Sequence, residues 1–247
     1  MQQFSVVISG FDHYDGIDVN PSYEVPRLLA QRGVGELDGV ELTISTVSLP
    51  VSFSKAWPLL NRTIETAKPD IVIATGLKRA ARGILLERCA TNIMDSSKPD
   101  IDNTTPRLAP IDPNGPAAYW TRLPLRAILG DFTHDSIPAT LSSDAGTFVC
   151  NSLFYNLLNW ASSQEKVLAG FVSLPMVNEE PHPQRGLPLE QLVQACADVV
   201  RKSVEYYMRP ARAFSSPDTC LRFVSSRARS RLCEKSKTLA DSRPHMQ

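Results

Sequence analysis

No apolar run in this 247-residue chain approaches the ~20 residues that a membrane-crossing helix needs, so no membrane partner is expected. The N-terminus, MQQFSVVISG, lacks a basic leader ahead of a long apolar stretch and does not read as a signal peptide. Net charge is absent as well: 26 basic residues balance 26 acidic ones, which removes the field that marks a nucleic-acid binder. Cysteines are few and odd in number. Cys89, Cys150, Cys196, Cys220 and Cys233 have no regular spacing, which excludes a disulfide framework and points to a reducing, cytoplasmic location. Histidine is scarcer still, so any imidazole chemistry must draw on His13, His134, His182 or His245. What remains is ordinary for a globular protein, with 43% hydrophobic and 21% charged residues. Neither a cofactor nor a metal is expected.

The charge is unevenly spread. From Arg209 to Gln247 there are nine Arg or Lys against three Asp or Glu, in a Ser- and Arg-rich composition without helical or strand periodicity. We read residues 209–247 as a basic, disordered tail: a solvated extension, or a weak contact for nucleic acid or a partner. Residues 1–208 read as one domain. Short β-branched runs recur at Phe4–Ser9, Leu42–Ser48, Asp70–Thr75, Ile137–Leu141 and Leu168–Leu174, each the length of a buried strand. Leu189, Leu192, Val193, Cys196, Val199, Val200 and Tyr207 share one helical face, and so do Phe148, Val149, Leu153, Phe154, Leu157 and Leu158. Strands alternating with helices imply an α/β fold with a mainly parallel sheet and helices on both faces. The segment from Asp95 to Pro116, rich in Pro, Asp and Asn, reads as a long functional loop.

The strongest local signal is SIPATLSSDAGTFVCNSLFY, residues 136–155. A strand runs through a small-residue turn, Ser142–Gly146, into an apolar-periodic helix with Cys150 in its first turns. The partial positive charge of a helix N-terminus favours a thiolate there. A strand, a glycine turn, a nucleophile and a helix in that order recur in α/β hydrolytic enzymes. A buried structural cysteine is the alternative reading.

The run SDAGTFVCN around Cys150 resembles the nucleophile motif of the pyroglutamyl peptidase type I family, also called pyrrolidone carboxyl peptidases. Other motifs follow in the family's order along residues 4–208: Gly10-Phe11-Asp12, Asn20-Pro21-Ser22, Leu49-Pro50-Val51-Ser52-Phe53, Gly76-Leu77, Glu87-Arg88 with Ala90-Thr91-Asn92, Gly115-Pro116-Ala117-Ala118-Tyr119 with Leu123-Pro124, and Ala169-Gly170-Phe171. The resemblance implies a three-layer α/β/α sandwich with a mainly parallel twisted sheet, a homo-oligomer that is a tetramer in the family, and a substrate that is a small peptide with an N-terminal pyroglutamate. It implies a Cys–His–Glu triad in which the thiolate attacks an acyl carbonyl, the imidazole moves protons and the carboxylate orients the imidazole. On that resemblance Cys150 is the nucleophile and Glu87 the orienting acid. Phe11, Tyr14 and Leu77 contribute to the substrate pocket, with core packing as the alternative for both aromatics. Tyr14 stands where the family has phenylalanine.

The resemblance breaks at the base. Where the family reads AGFxHxP, this chain has Ala169-Gly170-Phe171-Val172-Ser173-Leu174-Pro175, so Ser173 occupies the histidine position. A hydroxyl has no useful basicity near neutral pH. An arginine that the family carries ten residues after the glutamate is Ser97 here, followed by Lys98, and the segment Pro99-Asp100-Ile101-Asp102-Asn103 runs two residues longer than the family's. His134 is read as lying at the wrong end of its strand, while His13 and His182 are the conceivable substitute bases. Two functions follow: a cysteine-type peptidase removing N-terminal pyroglutamate with impaired turnover, or a catalytically silent homologue that binds pyroglutamyl peptides or serves as a scaffold.

Overall fold

The apolar runs of the sequence lie side by side in one sheet, and the helices between them cover its two faces. The computed structural model describes residues 1–14, 16–179 and 185–209. The first half of the chain forms β1 (Gln2–Phe11), α1 (Pro21–Arg32), β2 (Val40–Leu49), α2 (Ala56–Ala67), β3 (Ile71–Leu77), β4 (Ile84–Glu87), β5 (Cys89–Thr91) and β6 (Ala118–Trp120). The second half forms α3 (Leu125–His134), β7 (Ala139–Ser142), α4 (Val149–Ser162), β8 (Leu168–Leu174), β9 (Met176–Val177), β10 (Gly186–Leu187) and α5 (Leu189–Met208). The tail expected over 209–247 lies outside the described residues apart from Arg209, and His182 and His245 lie outside them too. Among the described residues, no helix is long and apolar enough to cross a membrane.

The main sheet has the order β2-β1-β3-β8-β4-β7. β1, β2, β3 and β8 are mutually parallel, while β4 pairs antiparallel to β8 and parallel to β7. The expected mainly parallel sheet is therefore present, with two strands reversed at one side. β3 and β8 are buried along nearly their whole length because helices cover both faces. β2, at the sheet edge, instead exposes Glu41, Thr43, Thr46 and Ser48.

Side-chain parity assigns each face its layer. Val6, Ile8, Ile71, Ile73, Ile84, Leu86, Val172 and Leu174 pack with α1, α3 and α5. Val7, Phe11, Val72, Ala74, Ala169 and Phe171 pack with α2 and α4. α5 buries Leu192, Val193, Cys196, Val199, Val200 and Val204. Each such aliphatic side chain contributes roughly 1.5–3 kcal/mol when fully buried.

One turn shows why the first motifs hold their residues. The Asn20 side chain caps α1 by accepting from Ser22 N at 3.1 Å, and its amide donates to the carbonyls of Phe11 and Asp12. Pro21 follows within the first turn of α1. The Ser22 hydroxyl accepts from Phe11 N at 3.2 Å. At Gly10 a Cβ would lie 1.5 Å from the Ser22 carbonyl oxygen, so only glycine fits. Gly10-Phe11 and Asn20-Pro21-Ser22 are thus one packed unit that fixes the carboxyl end of β1.

Candidate active site

Three residues predicted from sequence converge on the α4 side of the sheet. Ser173 lies on β8 with the parity of Ala169 and Phe171, and it pairs in register with Gly76 on β3 and Leu85 on β4. Glu87, two residues beyond Leu85, projects from the same face as Ser173's diagonal neighbour. The Ser173 hydroxyl donates to Glu87 Oε1 at 2.7 Å. Glu87 is fully buried, and its Oε2 has no hydrogen-bond partner among the described residues. Cys150 is the second residue of α4, as the sequence predicts. Its Sγ sits on Gly76, where a Cβ would come within 2.9 Å of the sulfur and 2.7 Å of Phe171 Cζ. Gly76 is therefore a close-approach glycine that lets the thiol reach the sheet.

The ionisation of Cys150 differs from the sequence expectation. Burial pushes its thiol up to about 12, and the Glu87 carboxylate adds to the rise. The Lys78 ammonium and the residue's own backbone N–H oppose it and lose. The helix-terminal effect is present, but the burial of the half-buried thiol and the facing carboxylate outweigh it. At neutral pH the thiol is therefore predominantly protonated.

The turn into α4 and the long loop hold this arrangement. Asn151 is buried in the first turn of α4, accepts from Thr91 N at 3.0 Å, and donates to the carbonyls of Thr91 at 2.9 Å and Ile93 at 3.0 Å. Asp95 and Thr147 exchange two hydrogen bonds between the loop and the turn. Asn92 closes the base of the loop by accepting from Ile111 N and Asp112 N and donating to the carbonyls of Asp112 and Gly115. Buried Asp100 accepts from the backbone N–H groups of Phe53, Asp102 and Thr104. Asp102 receives Lys55 and the Ser52 hydroxyl, which hold its carboxyl below the ordinary range. Phe53 and Phe148 meet edge to face at 5.3 Å beside the α4 N-terminus. The motifs contain Phe53, Asn92 and Asn151, but their spacing alone does not mark them. Asp100 lies in the lengthened segment Pro99–Asn103, whose sequence does not reveal its three backbone bonds, and Lys78 carries no local signal.

The expected pocket residues are dispersed in depth. Phe11 is buried in the core beneath α2 and α4, which is the core-packing alternative. Tyr14 packs on the rim of that core, with the Arg79 guanidinium 5.9 Å from its ring centroid. Leu77 is half-buried at the end of β3 and pairs with Leu174. Ser97 and Lys98 lie exposed in the loop.

Two described histidines bear on the base. His13 lies 3.3 Å from the Asp12 carboxylate and packs its ring on Tyr23 of α1, with centroids 4.7 Å apart. His134 ends α3, on the other helix layer from α4, and bonds to Asp135. The reason expected for excluding His134 needs correction. β7 runs against β3 and β8, so its N-terminal end lies toward their carboxyl ends, and it is the layer that separates His134 from Cys150. His182, the other conceivable base, lies outside the described residues.

Comparison with known proteins agrees with this geometry. A family model described as pyroglutamyl peptidase matches residues 4–205. The pyrrolidone-carboxylate peptidase of Thermococcus onnurineus is 37% identical over 203 residues, covering 81% of this chain and 98% of that protein. Pyroglutamyl peptidase I of Bacillus amyloliquefaciens superposes with a TM-score of 0.74 at 29% identity, covering 83% of this chain and 98% of that one. The pyrrolidone carboxyl peptidase of Thermococcus litoralis gives 0.73 at 30% identity, with 82% and 94% covered.

Proposed function

This chain belongs to the pyroglutamyl peptidase family, and from that premise we propose that it binds the N-terminal pyroglutamyl residue of a peptide and removes it slowly through Cys150. One observation carries the reading: the Cys150 sulfur rests on Gly76, on the same sheet face as the bonded Ser173–Glu87 pair. In the proposed reaction the sulfur attacks the pyroglutamyl carbonyl carbon and a C–S bond forms. The carbonyl oxygen takes up the electron pair and faces the first N–H groups of α4, whose end has no side-chain cap. The C–N bond then breaks, and the amine leaves with a proton. Water hydrolyses the thioester to free pyroglutamate and restore the thiol.

The slow step is loss of the thiol proton. Ser173 gives its one O–H to Glu87, and a hydroxyl oxygen does not take up and hold a second proton at neutral pH. Glu87 therefore orients a hydroxyl where an imidazole would move the proton. The proton passes to solvent or to the departing amine. A positioned general base typically contributes ~10²–10⁴-fold, so turnover falls short of a complete triad by about that factor.

A second reading is favoured by the raised Cys150 thiol: a cleft that binds pyroglutamyl peptides without cleaving them. We place either activity in residues 1–208, in the cytoplasm, in a chain that assembles as a homo-oligomer. The test pairs binding with turnover. Calorimetry with a pyroglutamyl dipeptide and with its prolyl counterpart reads ring recognition, and release from a pyroglutamyl coumarylamide reads cleavage. We expect selective binding and a slow release that Cys150→Ala abolishes. Selective binding with equal release from both proteins supports the second reading, and binding that does not distinguish the two dipeptides overturns both. Ending the chain after Met208 leaves these results unchanged.

A further inference from the structure

The loop beyond β3 bridges the two sides of the site. Lys78 directly follows Leu77, and its backbone N–H donates to the Leu174 carbonyl at 2.8 Å, extending the β3–β8 ladder by one bond. It stands two residues beyond Gly76, the glycine under the Cys150 sulfur. Its ammonium crosses to the opposite wall, donates to the Asp144 carbonyl at 2.5 Å, and lies 4.0 Å from Asp144 Oδ2. Asp144 belongs to the Ser142–Gly146 turn that launches α4, and it organises that turn by accepting from Gly146 N at 2.9 Å. One side chain thus ties the strand beneath the thiol to the turn that presents it.

We propose that Lys78 is a positioning residue for Cys150 and the cation that favours its thiolate in place of an imidazolium. This rests on Cys150 being the nucleophile of the proposed function. The charged groups around the thiol are few. Glu87 on β4 raises the thiol pKa, Lys78 lowers it, and β8 presents the neutral Ser173. α4 also packs on β5, β6 and α2. There Cys89 turns its thiol to the Ser143 carbonyl, Tyr119 turns its hydroxyl to Asn159, and Arg62 and Glu65 lie exposed. Among the described residues Lys78 is the cation that lowers the thiol, while Arg122 bonds the far end of α4 at the Ala161 carbonyl. The tether of Lys78 to Asp144 fixes that charge at the turn that launches α4 while leaving the side chain one third exposed, so substitution does not open the core.

The experiment follows iodoacetamide alkylation of Cys150 against pH by peptide mass spectrometry, which separates it from the other cysteines and needs no turnover. In Lys78→Met the alkylation rate at pH 8 falls by at least about threefold, because a lost cation raises the thiol pKa and one pKa unit is tenfold in thiolate. In Lys78→Arg, which keeps the charge, it stays within about twofold of the unmodified protein. An unchanged rate in Lys78→Met overturns the proposal. A loss that Lys78→Arg shares in full also overturns it, since the role is then a tether without a charge effect. Failure of peptide cleavage with the alkylation pattern intact counts against the proposed function and leaves this inference standing.

Discussion

The loops that frame the Cys150 site and the line of reacting groups at its centre differ in how completely they are built. In the frame, Asn92 makes four hydrogen bonds to backbone, while Asn151 and Asp100 make three each. At the centre, Glu87 has one hydrogen bond and one orphaned oxygen, and Cys150 is a neutral thiol. The difference teaches that the architecture holding a substrate and the proton path that consumes it are separable. Hydrogen bonds of the frame are repaid in stability, and they persist whether or not the centre turns over.

The comparison can be broken at either end. The largest effect is on Cys150 chemistry. Since its thiol is pushed up to about 12 and only the thiolate reacts, alkylation should climb about tenfold per pH unit, roughly 1,000-fold from pH 7 to pH 10, with no plateau. A plateau below pH 9 would show that the centre holds an activated thiolate. The frame comes next. Asn151→Ala removes three hydrogen bonds to backbone and one from the Thr91 hydroxyl at a buried position, and a loss of about 2–4 kcal/mol by urea titration is expected. A loss under 0.5 kcal/mol would deny the frame its rigidity. The smallest effect sharpens the centre. Glu87→Gln removes the negative charge that raises the Cys150 thiol, so alkylation at pH 8 should speed up by about threefold to tenfold. Slower alkylation would mean that Glu87 supports the thiolate instead.

How far the sequence foretold this depends on the range over which each feature is set. β8 spans Leu168–Leu174 as its apolar run predicts, because a strand buried on both faces carries its own signal. β1 and β3 each extend two residues past the carboxyl ends of their predicted runs: Gly10-Phe11 joins the packed turn into α1, and Gly76-Leu77 brings Gly76 under the Cys150 sulfur. The reversed β4 was not legible. Its four residues, Ile84–Glu87, carry no periodicity, and its direction is set by pairing with β8 more than 80 residues away. The convergence of Cys150, Glu87 and Ser173 was legible through motifs. The state of the thiol was not: a helix N-terminus is local, whereas burial under Gly76 and Phe171 and the charge of Glu87 are set by tertiary structure.

The central claim is that Cys150 and Glu87 stand where the reaction needs them and that position 173 lacks the imidazole between them. Its most direct test is kcat/KM on a pyroglutamyl amide for the unmodified protein, for Ser173→His and for Ser173→His/Cys150→Ala. Glu87 already bonds the side chain at 173, so a histidine there meets its orienting carboxylate, and a gain of at least about 100-fold is expected, lost again with Cys150→Ala. A folded Ser173→His protein no faster than the unmodified one, or a gain that survives Cys150→Ala, would contradict the account.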